Sequence, residues 1–372
     1  MGHREVPLTC RRPPRSLGLM AEPTPILVLT GQTASGKERL ALAVAQRLAG
    51  EIVSADSMKV YRGMDVGTAK ASPEARRAVP HHLVDVADAG ETFSTARWVE
   101  LADAAIADVA ARGRVPIVSG GTMLYLKALL EGLFEGPAAD DAVRARLSAE
   151  AEANGTAALH ARLARVDPEA AGRIHPNDLR RIIRALEVWE LAGAPISALQ
   201  TQWGSRRGRC RPLLVAVRRS LDDLDRRIEA RVRRMVEAGL VDEVRSLSAR
   251  PGGLALGPRQ ALGYAEALEH LAGRLAREEM VEAMVLHTRQ FARAQMKWLR
   301  RFAVRPGSPP RACRGEGLVW LDAAPDTPTD ALADRVVDLW RAHAECLRGG
   351  SPYPPRSPGP QRGGCGDPPR ST

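Results

Sequence analysis

The sequence predicts an α/β fold, a parallel sheet core carrying a helical insertion domain, and three observations lead there. The stretch ILVLTGQTASGK at 26–37 is a short apolar run, a turn of small residues, and then an amphipathic segment, ERLALAVAQRLAG; that is strand, loop, helix. Further short apolar runs at 51–55, 115–118, 213–217 and 318–321 alternate with helix-patterned stretches, as crossover units of a parallel sheet do. Between 136 and 205 the chain turns Ala-, Arg- and Glu-rich and almost loses strand signal. A length of 372 residues suits two domains, or one large domain with an insertion. The expected division is an extension at 1–22, a first core part at 23–135, the helical insertion at 136–205, a second core part at 206–345 and a tail at 346–372.

Composition excludes several classes. No apolar run approaches the roughly 20 residues that span a bilayer, so no membrane partner is expected. The first twenty residues hold Arg4, Arg11, Arg12 and Arg15 without an apolar h-region, which argues against a secretory signal. Met20 resembles an alternative start, and the residues before it, like the tail, read as disordered. Five scattered cysteines, an odd number with no C-x-x-C pair, suggest neither a disulfide framework nor a zinc site and point to a reducing cytoplasm. Of the net charge of +10, +2 falls in residues 1–22 and +3 in 346–372, so clustering matters more than the total.

Gly31, four residues, then Gly36 and Lys37 is the spacing of a P-loop-type core. Small residues let backbone N–H groups wrap a diphosphate, the helix adds its positive N-terminus and Lys37 adds a full charge. Gly31, Thr33, Ala34, Ser35, Gly36, Lys37 and Glu38 form the candidate diphosphate-binding set. Glu38 stands where a hydroxyl is usual. A carboxylate about 4 Å from a phosphate oxygen costs on the order of 4 kcal/mol at an effective dielectric near 20. Either magnesium lies between them, or the loop is impaired, or Glu38 turns aside to a neighbour such as Arg39 or Arg62; the last is the expected outcome.

The second strand runs into Asp56, which should face the same crevice as the loop, since ligands of open α/β sheets bind beyond the strands' carboxyl ends. Residues 58–70 read as an ordered loop. His81 and His82 read as structural, because adjacent strand residues point apart. A helix at 95–111 leads to the strand ending in Ser119, Gly120, Gly121 and Thr122. No acid stands there, so ordinary nucleotide hydrolysis, which uses a strand-end aspartate for magnesium, is not expected.

Arg180, Arg181 and Arg184 open a helix whose apolar face is Leu179, Ile182, Ile183 and Leu186. These arginines suit a solvated face or an anion. A helix at 222–238 carries Arg226, Arg227, Arg231, Arg233 and Arg234, partly offset by acids. In the helix at 278–302, Arg289, Arg293, Lys297 and Arg300 make one basic stripe, while Met284, Phe291 and Trp298 recur every seven residues as an expected buried stripe. Like charges so placed favour a polyanion across them. A strand at 318–321 and a helix at 330–344 close the fold.

The ordered blocks GQTASGK, SADSMKVYRGMDVGTAK, HHLVDV, SGGTMLYLKALLEGL, IHPNDLRRIIRALEVWE, GYAEAL and HTRQFARAQMKWLR resemble the tRNA dimethylallyltransferases. The resemblance runs from about residue 25 to 321; Gln32 replaces a usual proline and Glu38 a usual Ser or Thr. It implies transfer of a dimethylallyl group from dimethylallyl diphosphate to the exocyclic amine of the adenine 3′-adjacent to the anticodon, with Mg2+. It implies Asp56 as general base, Thr122 as a positioning hydroxyl, and Arg231 with Lys37 on the departing diphosphate. It assigns tRNA contacts to Asp56, Ser57, Met58, Lys59, Thr122, Arg180, Arg181, Arg184, Arg259, Gln260, Tyr264, Arg289, Gln290 and Arg293. The expected partner is a tRNA anticodon stem-loop, and the expected state a cytoplasmic monomer. Two rivals are a small-molecule P-loop enzyme, either a kinase or an adenylate prenyltransferase, and a tRNA-binding relative with impaired catalysis.

Overall fold

The computed structural model describes residues 23–133, 136–200, 210–302 and 317–349. The extension expected at 1–22 lies outside these residues, as do most of the tail and the boundary near Trp203. In chain order the strands are β1 (Thr24–Gly31), β2 (Glu51–Ser54), β3 (Tyr61–Arg62), β4 (His81–His82), β5 (Ala87–Asp88), β6 (Pro116–Ser119), β7 (Cys210–Arg218) and β8 (Leu318–Asp322). Six of them form one parallel sheet in the order β4-β2-β6-β1-β7-β8, with β1 near the centre. β3 and β5 pair separately, β3 lying inside the stretch at 58–70 read from sequence as loop.

The helices of the first core part are α1 (Lys37–Leu48), α2 (Pro73–Ala78), α3 (Thr95–Ala111) and α4 (Met123–Glu131). Those of the insertion are α5 (Asp141–Asn154), α6 (Thr156–Val166), α7 (Pro168–Arg173), α8 (Leu179–Ala192) and α9 (Ile196–Leu199). After β7 come α10 (Leu221–Glu237), α11 (Leu240–Ser248), α12 (Leu256–Arg259), α13 (Tyr264–Leu271), α14 (Arg277–Phe302) and α15 (Thr329–Leu347). α15 runs past residue 346, so the predicted tail began inside a helix.

Strand alternation builds two cores on the two faces of the sheet. Leu27 and Leu29 of β1 join Ile117, Val215 and Val217 under α1 and α15. Ile26 and Val28 join Val118, Leu214 and Ala216 under α3, α4, α10 and α14. Both faces are covered, so β1 is a continuous apolar run rather than an alternating one. Burying each such aliphatic side chain contributes roughly 1.5–3 kcal/mol. The insertion has its own core, with Leu147, Leu159, Leu163, Ile182, Leu186 and Ile196 among its members.

His81 and His82 prove structural. His81 Nδ1 lies 2.7 Å from the Val79 carbonyl, and His82 Nε2 lies 2.7 Å from Glu51 Oε2. The buried Glu51 carboxylate also receives Arg112, with Arg114 at 3.5 Å. Burial would raise this carboxyl, but hydrogen bonds from Arg112 and His82 outweigh it and hold it below its ordinary value of 4.5. A depressed carboxyl stabilises the fold above its unfolded pKa, and that contribution is lost as pH falls through the folded value. Glu51→Gln should therefore cost about 2 kcal/mol at neutral pH, less than a fully buried pair because Arg112 meets water. In thermal unfolding from pH 7 to pH 3, the gap between parent and variant should close below about pH 4.5.

Candidate active site

Because the strands are parallel, the segments after β1, β2, β6 and β7 all emerge at one edge. Hydrogen bonds stitch them together there. Thr30 Oγ1 donates to the Gly120 carbonyl at 2.9 Å, Ala55 N to Ser119 O at 2.8 Å, and Thr122 N to Ala55 O at 3.1 Å. The loop after β1 turns into α1 at Gly36, whose φ of 94° is one that a side chain would strain. Ala34 also sits in the left-handed region, at φ 60°.

Lys37 is buried beneath this loop, its Nζ 3.5 Å from the Gln32 carbonyl. Burial lowers its pKa; Glu38 pulls the other way, and Lys59 and Arg231 lower it further. Arg231 reaches the same cleft from α10, donating from Nη2 to the Thr68 carbonyl at 3.4 Å, and burial lowers its pKa too. Two guanidinium groups to which the sequence reading gave no site role hold the loop's carbonyls. Arg227 Nε donates to Ala34 O at 2.8 Å, and Arg219 Nε to Ser35 O at 2.7 Å. Arg227 and Arg231 are four apart on a helix directly after the strand that flanks β1. That spacing was the available signal.

Glu38 does turn aside, but to neither expected partner. Its Oε2 lies 3.1 Å from Lys59 Nζ, while Arg62 binds Asp88 through two hydrogen bonds. Burial would raise the Glu38 carboxyl, yet Lys59 and Lys37 outweigh it and hold it low. The Lys59 side chain is 6 % exposed and that of Glu38 39 %. Lys59 is therefore a buried counter-ion and not a surface contact for RNA, which corrects the assignment made by resemblance.

Asp56 is fixed by the turn after β2: its Oδ1 accepts from Met58 N at 2.9 Å and Lys59 N at 3.4 Å. Oδ2 has no hydrogen-bond partner among the described residues, in a cleft where the Asp56 charge acts on both Lys37 and Arg231. Thr122 Oγ1 accepts from Ser57 N at 3.0 Å and donates to Ser57 Oγ at 3.3 Å, joining the second and third segments. Under them, Trp98 stacks on Tyr125 at 4.4 Å and donates from Nε1 to Ser54 O at 3.0 Å.

The remaining predicted cations lie on α8, α12 and α14. Arg180 and Arg181 are exposed on α8, whereas Arg184 binds the buried Glu187 at 2.5 Å and the Pro137 carbonyl at 2.9 Å. Arg184 is thus largely engaged in holding α8 to the start of the insertion. Arg259 and Gln260 are exposed on and just after α12, beside a cavity of about 670 Å3 between α12, α13 and α14. Gln290, Arg293, Lys297 and Arg300 are exposed on α14; Arg289 is half-buried, 3.6 Å from Asp225 and 3.7 Å from Glu229.

A family model described as IPP transferase matches residues 59–302. The chain belongs to the IPP transferase family. A tRNA dimethylallyltransferase of Anaeromyxobacter dehalogenans (strain 2CP-C) is 50% identical over 311 residues, 84% of this chain and 98% of the relative. That of Sorangium cellulosum (strain So ce56) is 50% identical over 295 residues, 78% of this chain and 93% of the relative. Among solved structures, the tRNA isopentenylpyrophosphate transferase of Bacillus halodurans superposes with a TM-score of 0.61 at 32% identity, covering 88% of this chain and 100% of that one. A eukaryotic dimethylallyltransferase acting on tRNA superposes with a TM-score of 0.69 at 25% identity, covering 90% and 82%.

Two further expectations for this IPP transferase need correction. Tyr264 is fully buried and donates its hydroxyl to Glu243 Oε1 at 2.5 Å, which leaves it no surface for RNA. Glu243 also accepts from the backbone N–H groups of Asp65, Val66 and Gly67, so Tyr264 serves to anchor that loop. Phe291 is 43 % exposed, not part of a buried stripe; Met284 is buried and Trp298 partly so.

The donors at the loop fit a magnesium ion held mainly by a diphosphate. Ser35 Oγ is a buried hydroxyl with no hydrogen-bond partner among the described residues, while the Glu38 carboxylate is paired with Lys59. Among the described residues no group of three His, Cys, Asp or Glu side chains forms a metal cage. Replacing Glu38 by Thr should free Lys59 for an anion and tighten inorganic diphosphate severalfold at low magnesium. Calorimetric titration across magnesium concentrations checks this, and weaker binding at every concentration would instead make Glu38 a metal ligand.

Proposed function

We propose that this IPP transferase moves a dimethylallyl group from dimethylallyl diphosphate to the N6 amine of the adenine 3′-adjacent to the anticodon of tRNA, releasing diphosphate. One observation carries the reading: the carboxylate of Asp56 shares its cleft with the Gly31–Lys37 loop, whose Lys37 is buried close to Arg231. The relatives' names, tRNA dimethylallyltransferase, support the substrate pair.

In the reaction, the adenine amine forms a bond to C1 of the dimethylallyl group as the C1–O bond to diphosphate breaks. The bonding pair leaves with the diphosphate, and the amine proton passes to Asp56 Oδ2. An exocyclic amine of adenine is a weak nucleophile, so a carboxylate within hydrogen-bond reach matters as charge develops on nitrogen. Lys37, Arg231 and the loop N–H groups stabilise the charge growing on the leaving group, and their desolvation strengthens that interaction. Thr122 orders the turn that faces Asp56. When bound, Mg2+ would be held by the diphosphate with the Ser35 hydroxyl, and would supply further neutralisation of the leaving group. The target base must leave its stack to reach a cleft at the sheet edge, so an anticodon stem-loop would lie across Arg180, Arg181, Arg259, Gln260, Gln290 and Arg293. We further propose a cytoplasmic monomer; no helix of the described residues is long and apolar enough to cross a membrane.

Asp56→Asn should retain diphosphate binding while lowering turnover by roughly a hundredfold or more. Single-turnover transfer to a stem-loop RNA measures it, and near-normal turnover would remove Asp56 from the chemistry. For RNA binding, Arg293→Ala should cost more affinity than Arg289→Ala, because Arg289 already faces Asp225 and Glu229. Each lost phosphate contact should reduce the slope of log affinity against log salt by about one. Filter binding across salt concentrations distinguishes the two variants.

A further inference from the structure

Two glutamine side chains cross from the diphosphate loop to the helix that carries the basic stripe. Gln32, in the loop, donates from Nε2 to the Ala292 carbonyl on α14 at 3.0 Å. Gln295, on α14, accepts from the loop's Thr33 N at 2.8 Å through Oε1 and donates to the Gly121 carbonyl at 2.9 Å through Nε2. Both carboxamides are almost fully buried, 2 % and 4 % exposed. A buried amide is retained where its bonds are satisfied, and Gln295 uses both ends. The fit is close. A Cβ added to Gly121 would lie 2.5 Å from Gln295 Nε2, so a side chain there would displace this amide from its bonds.

These bonds join three parts of the site that are distant in sequence: the loop, the turn leading to Thr122 and α14. The opposite face of α14 presents Gln290, Arg293 and Lys297 to solvent. A helix of 26 residues packed against α10 and α13 responds to a load on one face largely as a unit. Whatever orders its basic face therefore also orders the loop N–H groups on the other side. Gln32 matters because its side-chain donor adds a second strut to the one Gln295 provides.

We infer that Gln32 and Gln295 are positioning residues that clamp the diphosphate loop and the Thr122 turn to α14, so that RNA and diphosphate each tighten the other's binding. The inference rests on the proposed function for the identity of the two ligands. A ligand that orders a shared element lowers the ordering cost for the second, and the coupling is reciprocal by linkage.

The test uses the full chain, magnesium, inorganic diphosphate and an anticodon stem-loop RNA, so that no transfer occurs. In the parent, the RNA should tighten diphosphate binding by about fivefold or more, and diphosphate should tighten the RNA by the same factor. In Gln32→Met the factor should fall, and in Gln295→Met it should approach one. RNA affinity measured alone should stay within about twofold, because the basic residues are untouched. A purely packing role would lower the melting temperature without moving the coupling factor, and that outcome overturns the inference. A parent that binds both ligands with a factor of one overturns the clamp while leaving the proposed function standing. A parent that binds no RNA overturns the proposed function and the inference with it. Should Gln295→Met fail to fold, Gln32→Met decides alone, since it leaves Gln295 in place.

Discussion

A buried ammonium governs this site. Lys37 sits under the loop with no carboxylate within salt-bridge distance among the described residues, its basicity lowered by burial and by two neighbouring cations. Such a charge is costly in a folded chain unless an anion completes it. The surrounding structure limits that cost without cancelling it. Glu38 is near but is occupied by Lys59, and Asp56 is tied into its own turn. The field left over favours a diphosphate and its departure, which is what a transfer of the attached group requires.

The arginines divide into two kinds that the sequence does not distinguish. Arg219, Arg227 and Arg184 are spent inside the molecule, on loop carbonyls and on the buried Glu187. Arg180, Arg181, Arg259 and Arg293 face solvent. The first kind fixes the shape of the cleft, since a planar guanidinium holds a carbonyl in one orientation. The second kind supplies a salt-sensitive surface for a polyanion. The net charge of +10 is therefore a poor measure of RNA affinity, because much of it is internal or lies outside the described residues.

Between these sets runs α14. Its buried face reaches the loop through two carboxamides, and its exposed face carries the basic stripe. Small-residue turns make that approach possible: Gly120 lies against the Ala55 backbone and Gly121 against Gln295. The Ser119–Thr122 segment, which lacks the acid of a nucleotide hydrolase, thus serves as a junction between strand ends.

By itself the sequence determined the loop, the strand that leads into it, Asp56 at the next strand end and the parallel α/β class. These depend on residues close together in the chain, where glycine spacing and apolar periodicity act directly on the backbone. It also marked the basic helices. Only the tertiary structure decided which charges were consumed. Lys59 rather than Arg39 or Arg62 meets Glu38, Tyr264 is sealed against Glu243, and Arg219 and Arg227 brace the loop. Phe291 shares a period with Met284, yet among the described residues no element covers α14 there. A helical period fixes the face on which a residue lies, but not how far along that face its neighbours extend. An ion pair between residues far apart in the chain is set by the fold that brings them within a few ångströms, so no local pattern could encode it.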